Sequence, residues 1–178
     1  MIYQESSVKR TFNICFSHGE DVLSSLKEFC REKNLENAIF FLIGALKNAN
    51  IVTGPKTCLL KNQRFLACEN VPFSRHEIKD FVASHNEVVR TTPPEPVKQY
   101  FNDCREIVAI GTVAGGEIHL HASVGREKDA WTGCVRERAT AYLVVEGVVL
   151  ELTGHAWREM DKDLGIKTPH YGDLAISP

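Results

Sequence analysis

Strand-like patterning covers most of the chain and limits its fold more than any other feature. Residues 11–16 alternate between apolar and polar side chains, which predicts a half-buried strand. Residues 38–43 form a short apolar run, which predicts a strand covered on both faces. The last two strand patterns are predicted to meet in a hairpin at Glu146-Gly147. The remaining patterns lie at 49–53, 57–60, 65–68, 107–113, 117–124, 139–145 and 148–153.

Helical spacing of apolar residues occurs in two places. It predicts a helix over 20–33 that closes near Asn34, with Ser17 and Glu20 in the positions of a capping box. A second helical pattern within 71–103 ends at a Pro-rich stretch and is interpreted as a variable helical insertion. The fold class is therefore predicted as α+β, a sheet-rich single domain with one main N-terminal helix.

The length and the net charge of the chain exclude several classes of protein. A chain of 178 residues fits one domain, and its net charge of −2 gives no general attraction to nucleic acid or anionic membranes. The longest apolar stretch, 38–46, is about half of what spans a bilayer. The start shows no secretory signal, and the six Cys include no C-x-x-C pair. We expect a cytoplasmic protein with reduced thiols and no membrane association.

Residues 115–123 read GGEIHLHAS and carry the most chemical information. Alternate side chains of a strand share a face, so His119 and His121 point the same way, about 6.6 Å apart along the strand. Two imidazoles at this spacing can bind one metal ion. Cys134 completes a three-ligand zinc site if its segment returns beside this strand, and the fourth position then stays open for water or substrate. Glu117 lies on the same face and could support the ligands or act as a general acid or base.

Spacing alone leaves other interpretations of these residues open. A His-x-His pair on a strand is often two polar residues that face solvent or a subunit interface, and a lone Cys is often an inert, partly buried thiol. The remaining candidates are interpreted as loop, surface or interface residues: His18, Trp131, His155, Trp157 and His170.

Four segments together resemble a known family. They are 16–26 with its Gly-Glu-Asp-Val core, 44–46 (Gly-Ala-Leu), 117–123 with His-Leu-His-Ala, and Thr-Gly-Cys at 132–134 followed by the apolar segment 139–150. This combination is similar to the PPC domain, the "plants and prokaryotes conserved" family. The resemblance covers roughly residues 10–153 but is poor over 71–103. It predicts a PPC-like domain over 1–155 and a C-terminal tail over 156–178.

The resemblance implies a homotrimer with an architecture related to acetolactate decarboxylase, a zinc enzyme. Prokaryotic members carry His-x-His followed by Gly-Gly-His, and these three His are similar to the metal ligands of that enzyme. His119 and His121 match the first two positions, whereas Cys134 stands in place of the third His and Thr132 in place of the first Gly. Cysteine binds zinc, so the implied site is either retained with altered affinity or lost.

Two functions follow from this resemblance. The first is a metal-binding homotrimer with a regulatory or DNA-binding role. The sequence lacks the Arg-Gly-Arg-Pro AT-hook of plant members, and its basic residues within 126–138 are interleaved with acids, so charge does not favour DNA. The alternative is a zinc-dependent lyase or hydrolase that acts on a small oxo- or hydroxy-acid. In that case Arg136 or Arg138 could hold the carboxylate of the ligand, and Glu117 could take part in proton transfer.

Overall fold

A computed structural model describes residues 3–54, 57–60, 64–67, 96–161 and 166–172. Over these residues the chain forms one α-helix and ten β-strands, which confirms the sheet-rich α+β class. In chain order the elements are β1 (Val8–Ser17), α1 (Val22–Glu32), β2 (Asn37–Thr53), β3 (Thr57–Leu60), β4 (Arg64–Ala67), β5 (Val97–Phe101), β6 (Arg105–Ala114), β7 (Glu117–Arg126), β8 (Asp129–Leu152), β9 (Ala156–Asp161) and β10 (Ile166–Tyr171).

The main sheet has six strands in the order β1-β8-β7-β6-β2-β5, and β8 also pairs with β2. Strands β2, β6, β7 and β8 therefore form a closed ring. This closure is possible because β2 and β8 are 17 and 24 residues long and carry several register irregularities where they pair, so each bends around the core. Two further pairs, β3 with β4 and β9 with β10, form two-stranded sheets.

The chain divides into two compact units. The first comprises Met1–Thr53, Lys98–Glu159 and Lys167–Pro178, and it contains α1 and nearly all of the main sheet. The second comprises Gly54–Val97 and Met160–Ile166, and it contains the hairpin of β3 and β4.

The main helix is confirmed at the predicted place, but its cap differs from the prediction. The carboxylate of Asp21 accepts a hydrogen bond from the backbone N–H of Ser24 at 2.8 Å, so Asp21 is the N-cap. The pair Ser17 and Glu20 does not cap the helix as predicted. The Glu20 carboxylate does accept a hydrogen bond from the Ser17 N–H, as in a capping box, but within the turn before the helix. Asn34, with φ of 52°, takes the left-handed conformation that ends the helix.

The main sheet has one face packed into the core and one open face. The core residues of the sheet pack with the buried side chains of α1 and include Phe16, Phe40, Val145 and Val149. On the other face Phe41 is 42% exposed, Ile43 53% and Val108 63%. The prediction that residues 38–43 are covered on both faces is therefore wrong for the single chain.

The predicted hairpin at Glu146-Gly147 is also wrong, because β8 runs through it without a turn. Gly147 lies between two neighbours, opposite Ile14 of β1 and Leu42 of β2. A Cβ atom on Gly147 would lie 2.1 Å from the carbonyl oxygen of Phe41. The glycine is thus required for close packing of backbones within the sheet and not for a turn. The strands predicted at 38–43 and 49–53 likewise join into the single strand β2.

Most of the predicted helical insertion over 71–103 lies outside the described residues, and Val97–Phe101 at its end forms β5. The predicted tail, 156–178, contains β9 and β10. The boundary between a 1–155 domain and this tail stays a prediction. None of the helices in the described part of the chain is long and apolar enough to cross a membrane.

Candidate metal centre

The turn between β6 and β7 sets the position of the two histidines. Gly115 and Gly116 occupy this two-residue turn with φ of 58° and 72°. Two positive φ values in succession are typical of a type I′ hairpin turn, in which glycine avoids the steric cost that a side chain imposes. The turn fixes the register, so that Thr112 of β6 lies opposite His119 of β7 and Ile110 lies opposite His121.

A second hairpin brings Cys134 to the same place. Strands β7 and β8 are joined by residues 127–128, and their register places Cys134 opposite His121. Gly133 precedes Cys134 where β8 also meets β2, and a Cβ atom on Gly133 would lie 2.6 Å from the carbonyl oxygen of Val52. Glycine at this position therefore allows three strands to pack closely behind the cysteine.

The side chains of His119, His121 and Cys134 converge. The Nε2 atoms of the two histidines are 3.2 Å apart, and their rings are nearly perpendicular at 88°. One ligand atom from each of the three residues lies within 4.8 Å of the others. Cys134 is buried, His119 is half-buried and His121 is exposed, so the cluster opens to solvent on one side. Among the described residues, no other group of three or more His, Cys, Asp or Glu side chains lies close enough together to hold one metal ion.

The surroundings of the cluster affect its protonation. Burial lowers the pKa of His119, and the positive charge of Arg158 and the neighbouring His121 lower it further. Burial raises the pKa of Cys134, while the charges of Arg136 and Arg158 partly offset this. The imidazole of His119 is thus held neutral, as a metal ligand must be, whereas the thiol of Cys134 has to lose a proton to bind a cation.

The structure does not bring every candidate into the cluster. The carboxylate of Glu117 is 2.5 Å from the Nζ atom of Lys167 on β10, so it forms an ion pair outside the group of three. Arg136 lies close enough to influence His119 and Cys134 electrostatically. Arg138 is exposed at a positive φ of 51°, at an irregular part of β8.

The other histidines have different surroundings. The Nδ1 atom of His18 accepts a hydrogen bond from the backbone N–H of Leu143 at 3.0 Å. His155 and His170 stack on Trp157, with ring centroids 5.3 and 5.6 Å from the indole. None of these three histidines belongs to the cluster of possible metal ligands.

Sequence reasoning missed Arg158 of β9. Its Nη2 atom donates a hydrogen bond to the Thr112 hydroxyl at 3.1 Å. Its Nε atom is buried and has no hydrogen-bond partner among the described residues. Strand β9 passes beside the Gly115-Gly116 turn, where a Cβ atom on Gly115 would lie 3.3 Å from the Cα atom of Trp157. Arg158 lies in the predicted C-terminal tail over 156–178, and no local pattern there signals this long-range contact.

The fold and the cluster together define a class: sheet-rich α+β domains with a potential metal centre between neighbouring strands of the main sheet. Residues 3–153 match the family model of the Plants and Prokaryotes Conserved (PCC) domain, and the chain belongs to this family, which is also abbreviated PPC.

Solved structures share the fold at low sequence identity. A metal-containing protein from Archaeoglobus fulgidus is 20% identical, with a TM-score of 0.66 over 94% of this chain and 98% of that chain. A candidate DNA-binding protein from Bacteroides thetaiotaomicron is 18% identical, with a TM-score of 0.63 over 94% and 97%. A PPC protein from Pyrococcus horikoshii is 22% identical, with a TM-score of 0.61 over 99% and 100%. No curated protein matches the chain significantly.

Proposed function

We propose that this chain is a metal-binding homotrimer of the PCC family with a regulatory or DNA-associated role, and that His119, His121 and Cys134 bind the metal. The observation that carries the proposal is the convergence of one ligand atom from each of these residues within 4.8 Å. A structurally similar protein from Archaeoglobus fulgidus is described as metal-containing, which supports a metal in this fold.

The donor set fits zinc. Two imidazole nitrogens and one thiolate are ligands that Zn²⁺ accepts in tetrahedral geometry, whereas Mg²⁺ and Ca²⁺ prefer oxygen ligands. Three protein ligands leave one coordination position, and the exposed side of the cluster at His121 leaves room for it. When bound there, zinc supplies a Lewis acid that can polarise a carbonyl or lower the pKa of a water molecule.

Metal content is the direct test of this site. We expect about one zinc per chain in untagged protein by elemental mass spectrometry, and loss of that zinc in Cys134→Ala and His119→Ala. Cys15→Ala is the matched control, because it removes an exposed thiol far from the cluster in sequence and should leave the zinc in place. A folded wild-type protein without metal, or equal zinc in all four proteins, would contradict the proposal.

The open face of the main sheet supports self-assembly. Its exposed apolar residues lie in neighbouring register positions: Phe41 opposite Ile110, and Ile43 opposite Val108. Contiguous apolar patches of this kind are typical of protein–protein interfaces. The register continues from Ile110 to His121 and Cys134, so the metal cluster lies at the side of the same face.

Val108→Glu places a charge in this apolar face and tests its role in assembly. We expect wild-type protein to sediment as a trimer in analytical ultracentrifugation and Val108→Glu to sediment as a monomer. Val8→Glu is the matched control, because Val8 is equally a large exposed apolar residue but belongs to β1 at the edge of the main sheet. A monomeric wild type, or a trimer in both variants, would contradict assembly through this face.

The DNA-associated role is supported by a structural neighbour described as a candidate DNA-binding protein. The net charge of −2 gives no general attraction to DNA, so association has to come from local basic residues and should be weak and salt-sensitive. Fluorescence anisotropy with duplex DNA at two salt concentrations tests this role. Binding at physiological ionic strength that weakens with salt is expected, and absence of binding would leave a regulatory role without DNA.

A second candidate function is that of a zinc-dependent lyase or hydrolase acting on a small oxo- or hydroxy-acid. It is favoured by the three-ligand cluster with one side open to solvent, since catalytic zinc sites keep an open coordination position and structural sites close it. Turnover of such an acid by the zinc-loaded protein, lost in His119→Ala, is the expected result if this function is correct.

A further inference from the structure

The guanidinium of Arg158 is incompletely paired. It carries five N–H groups. One of them, on Nη2, is donated to the Thr112 hydroxyl at 3.1 Å. The Nε–H is buried and has no partner among the described residues. A buried donor without an acceptor lowers the stability of the folded protein. A ligand that accepts a hydrogen bond from the Nε–H would explain why the chain keeps this donor.

Neither Arg158 nor Arg136 forms an ion pair with an acidic side chain of the described residues. All ion pairs among these residues involve other basic side chains. Glu117 belongs to the same strand as the histidines but pairs with Lys167. Both arginines are close enough to the cluster for their charges to act on His119 and Cys134. The cluster is therefore flanked by positive charge that the described chain does not neutralise.

We propose that Arg158 binds the carboxylate of a small oxo- or hydroxy-acid ligand whose other oxygen occupies the open position of the metal centre. The proposal rests on the metal site of the proposed function. A guanidinium presents pairs of parallel N–H groups that match the two oxygens of a carboxylate, and the unpaired Nε–H together with the N–H of Nη2 that Thr112 does not use forms such a pair.

The position of Thr112 supports this assignment. Thr112 lies opposite His119 in the register, and residues opposite each other on antiparallel strands point to the same face of the sheet. The hydrogen bond from Arg158 to Thr112 therefore holds the guanidinium on the face that carries the metal ligands. Arg136 lies two residues after Cys134 on β8, is exposed, and adds a second positive charge at the entrance.

The experiment compares pyruvate with its uncharged methyl ester on zinc-loaded protein by isothermal titration calorimetry. Zinc content is measured first in wild type, Arg158→Met, Arg158→Lys and Arg126→Met. We expect the same zinc content in all four, because no arginine is a metal ligand. Arg126 is the control, because its guanidinium lies 3.6 Å from Asp103 and belongs to a different charge group.

We expect pyruvate to bind the wild type and Arg126→Met equally, and Arg158→Met at least about tenfold more weakly, since a hydrogen bond to a charged group contributes that much affinity. Arg158→Lys should lie between them, and the ester should not bind measurably. Equal binding of pyruvate to wild type and Arg158→Met, equal binding of acid and ester, no binding at all, or tighter binding of inorganic phosphate would overturn the proposal. Absence of zinc from the wild type would overturn the proposed function itself, and the zinc measurement reports that outcome separately.

Discussion

Arg105 is a buried arginine and Arg158 a half-buried one, and their surroundings are opposite. Arg105 donates to Asp103 at 3.0 Å and to Asp129 at 2.8 Å, and its guanidinium lies 4.4 Å from the ring centroid of Trp131. Arg158 makes one hydrogen bond, to a threonine hydroxyl on β6, and keeps a buried Nε–H without a partner among the described residues.

This difference separates charge that holds the fold together from charge that is available to a ligand. The Arg105 group connects the start of β6 with the start of β8, and Trp131 adds a hydrogen bond from its Nε1 to Asp129 at 3.0 Å. Such a network is nearly complete without any further molecule. The positive charges of Arg158 and Arg136 near the metal ligands have no acidic partners among the described residues. Incompletely paired charge of this kind is typical of binding sites.

The largest expected effect on stability comes from breaking the complete network. Arg105→Met should lower the free energy of unfolding by about 2–3 kcal/mol, because it removes two ion pairs and two cation–π contacts, with Phe101 and Trp131, of a buried side chain. The value lies below that of a fully buried pair, since Asp103 is 36% and Asp129 56% exposed. Urea denaturation measures it. Arg126→Met, which removes an exposed partner of Asp103, should cost less than about 0.5 kcal/mol, and an equal loss in both variants would contradict the network.

The metal centre should respond to pH with about a tenfold gain in zinc affinity per pH unit near neutrality, since one proton is released on binding. The raised pKa of Cys134 keeps its thiol protonated in the metal-free protein, so zinc must displace that proton. The lowered pKa of His119 means that this ligand is already neutral and releases none. A competition titration with a chromophoric chelator at several pH values measures the slope. Cys134→His should retain zinc with a much flatter slope, and a flat wild-type profile would contradict a thiolate ligand.

The acid stability of the Arg105 network gives a smaller effect with a defined sign. The hydrogen bond from Arg105 lowers the pKa of Asp103. Because the folded pKa lies below the unfolded value of about 3.9, the stabilisation is present above that pH and is lost as the pH falls through the folded pKa. The difference in unfolding free energy between wild type and Asp103→Asn should therefore shrink from pH 6 to pH 3. In an Arg105→Met background the substitution should show a much weaker pH dependence, because only the more distant Arg126 then lowers the pKa of Asp103. An undiminished pH dependence in that background would contradict Arg105 as its main cause.

Local patterns predicted the parts of the structure that depend on neighbouring residues. The alternation in 11–16 and the helical spacing after Asp21 correspond to β1 and α1. The shared face of His119 and His121 follows from the period of a strand alone. The hairpin predicted at Gly147 failed because a glycine required for close backbone packing and a glycine required for a turn look the same in sequence.

Long-range contacts could not be predicted in this way. The meeting of Cys134 with His121 depends on the short connection at 127–128, which fixes the register of β8 on β7. The contact of Arg158 with Thr112 joins residues 46 positions apart, through the passage of β9 beside the Gly115-Gly116 turn. No spacing rule covers that separation, so the arginine beside the metal ligands became evident only from the fold.

A small expected effect on stability, that of removing Arg158, tests the other half of the comparison between the two arginines. Arg158→Met in metal-free protein should change the free energy of unfolding by less than about 1 kcal/mol, because loss of the hydrogen bond to Thr112 is offset by removal of a buried, unpaired N–H. Urea denaturation of this variant beside Arg105→Met measures the difference directly. A loss for Arg158→Met as large as that for Arg105→Met would show that Arg158 stabilises the fold through contacts of its own. A near-neutral result means that this chain keeps a charged side chain beside its metal ligands without gaining stability from it, which is the behaviour expected of a residue retained to bind an anion.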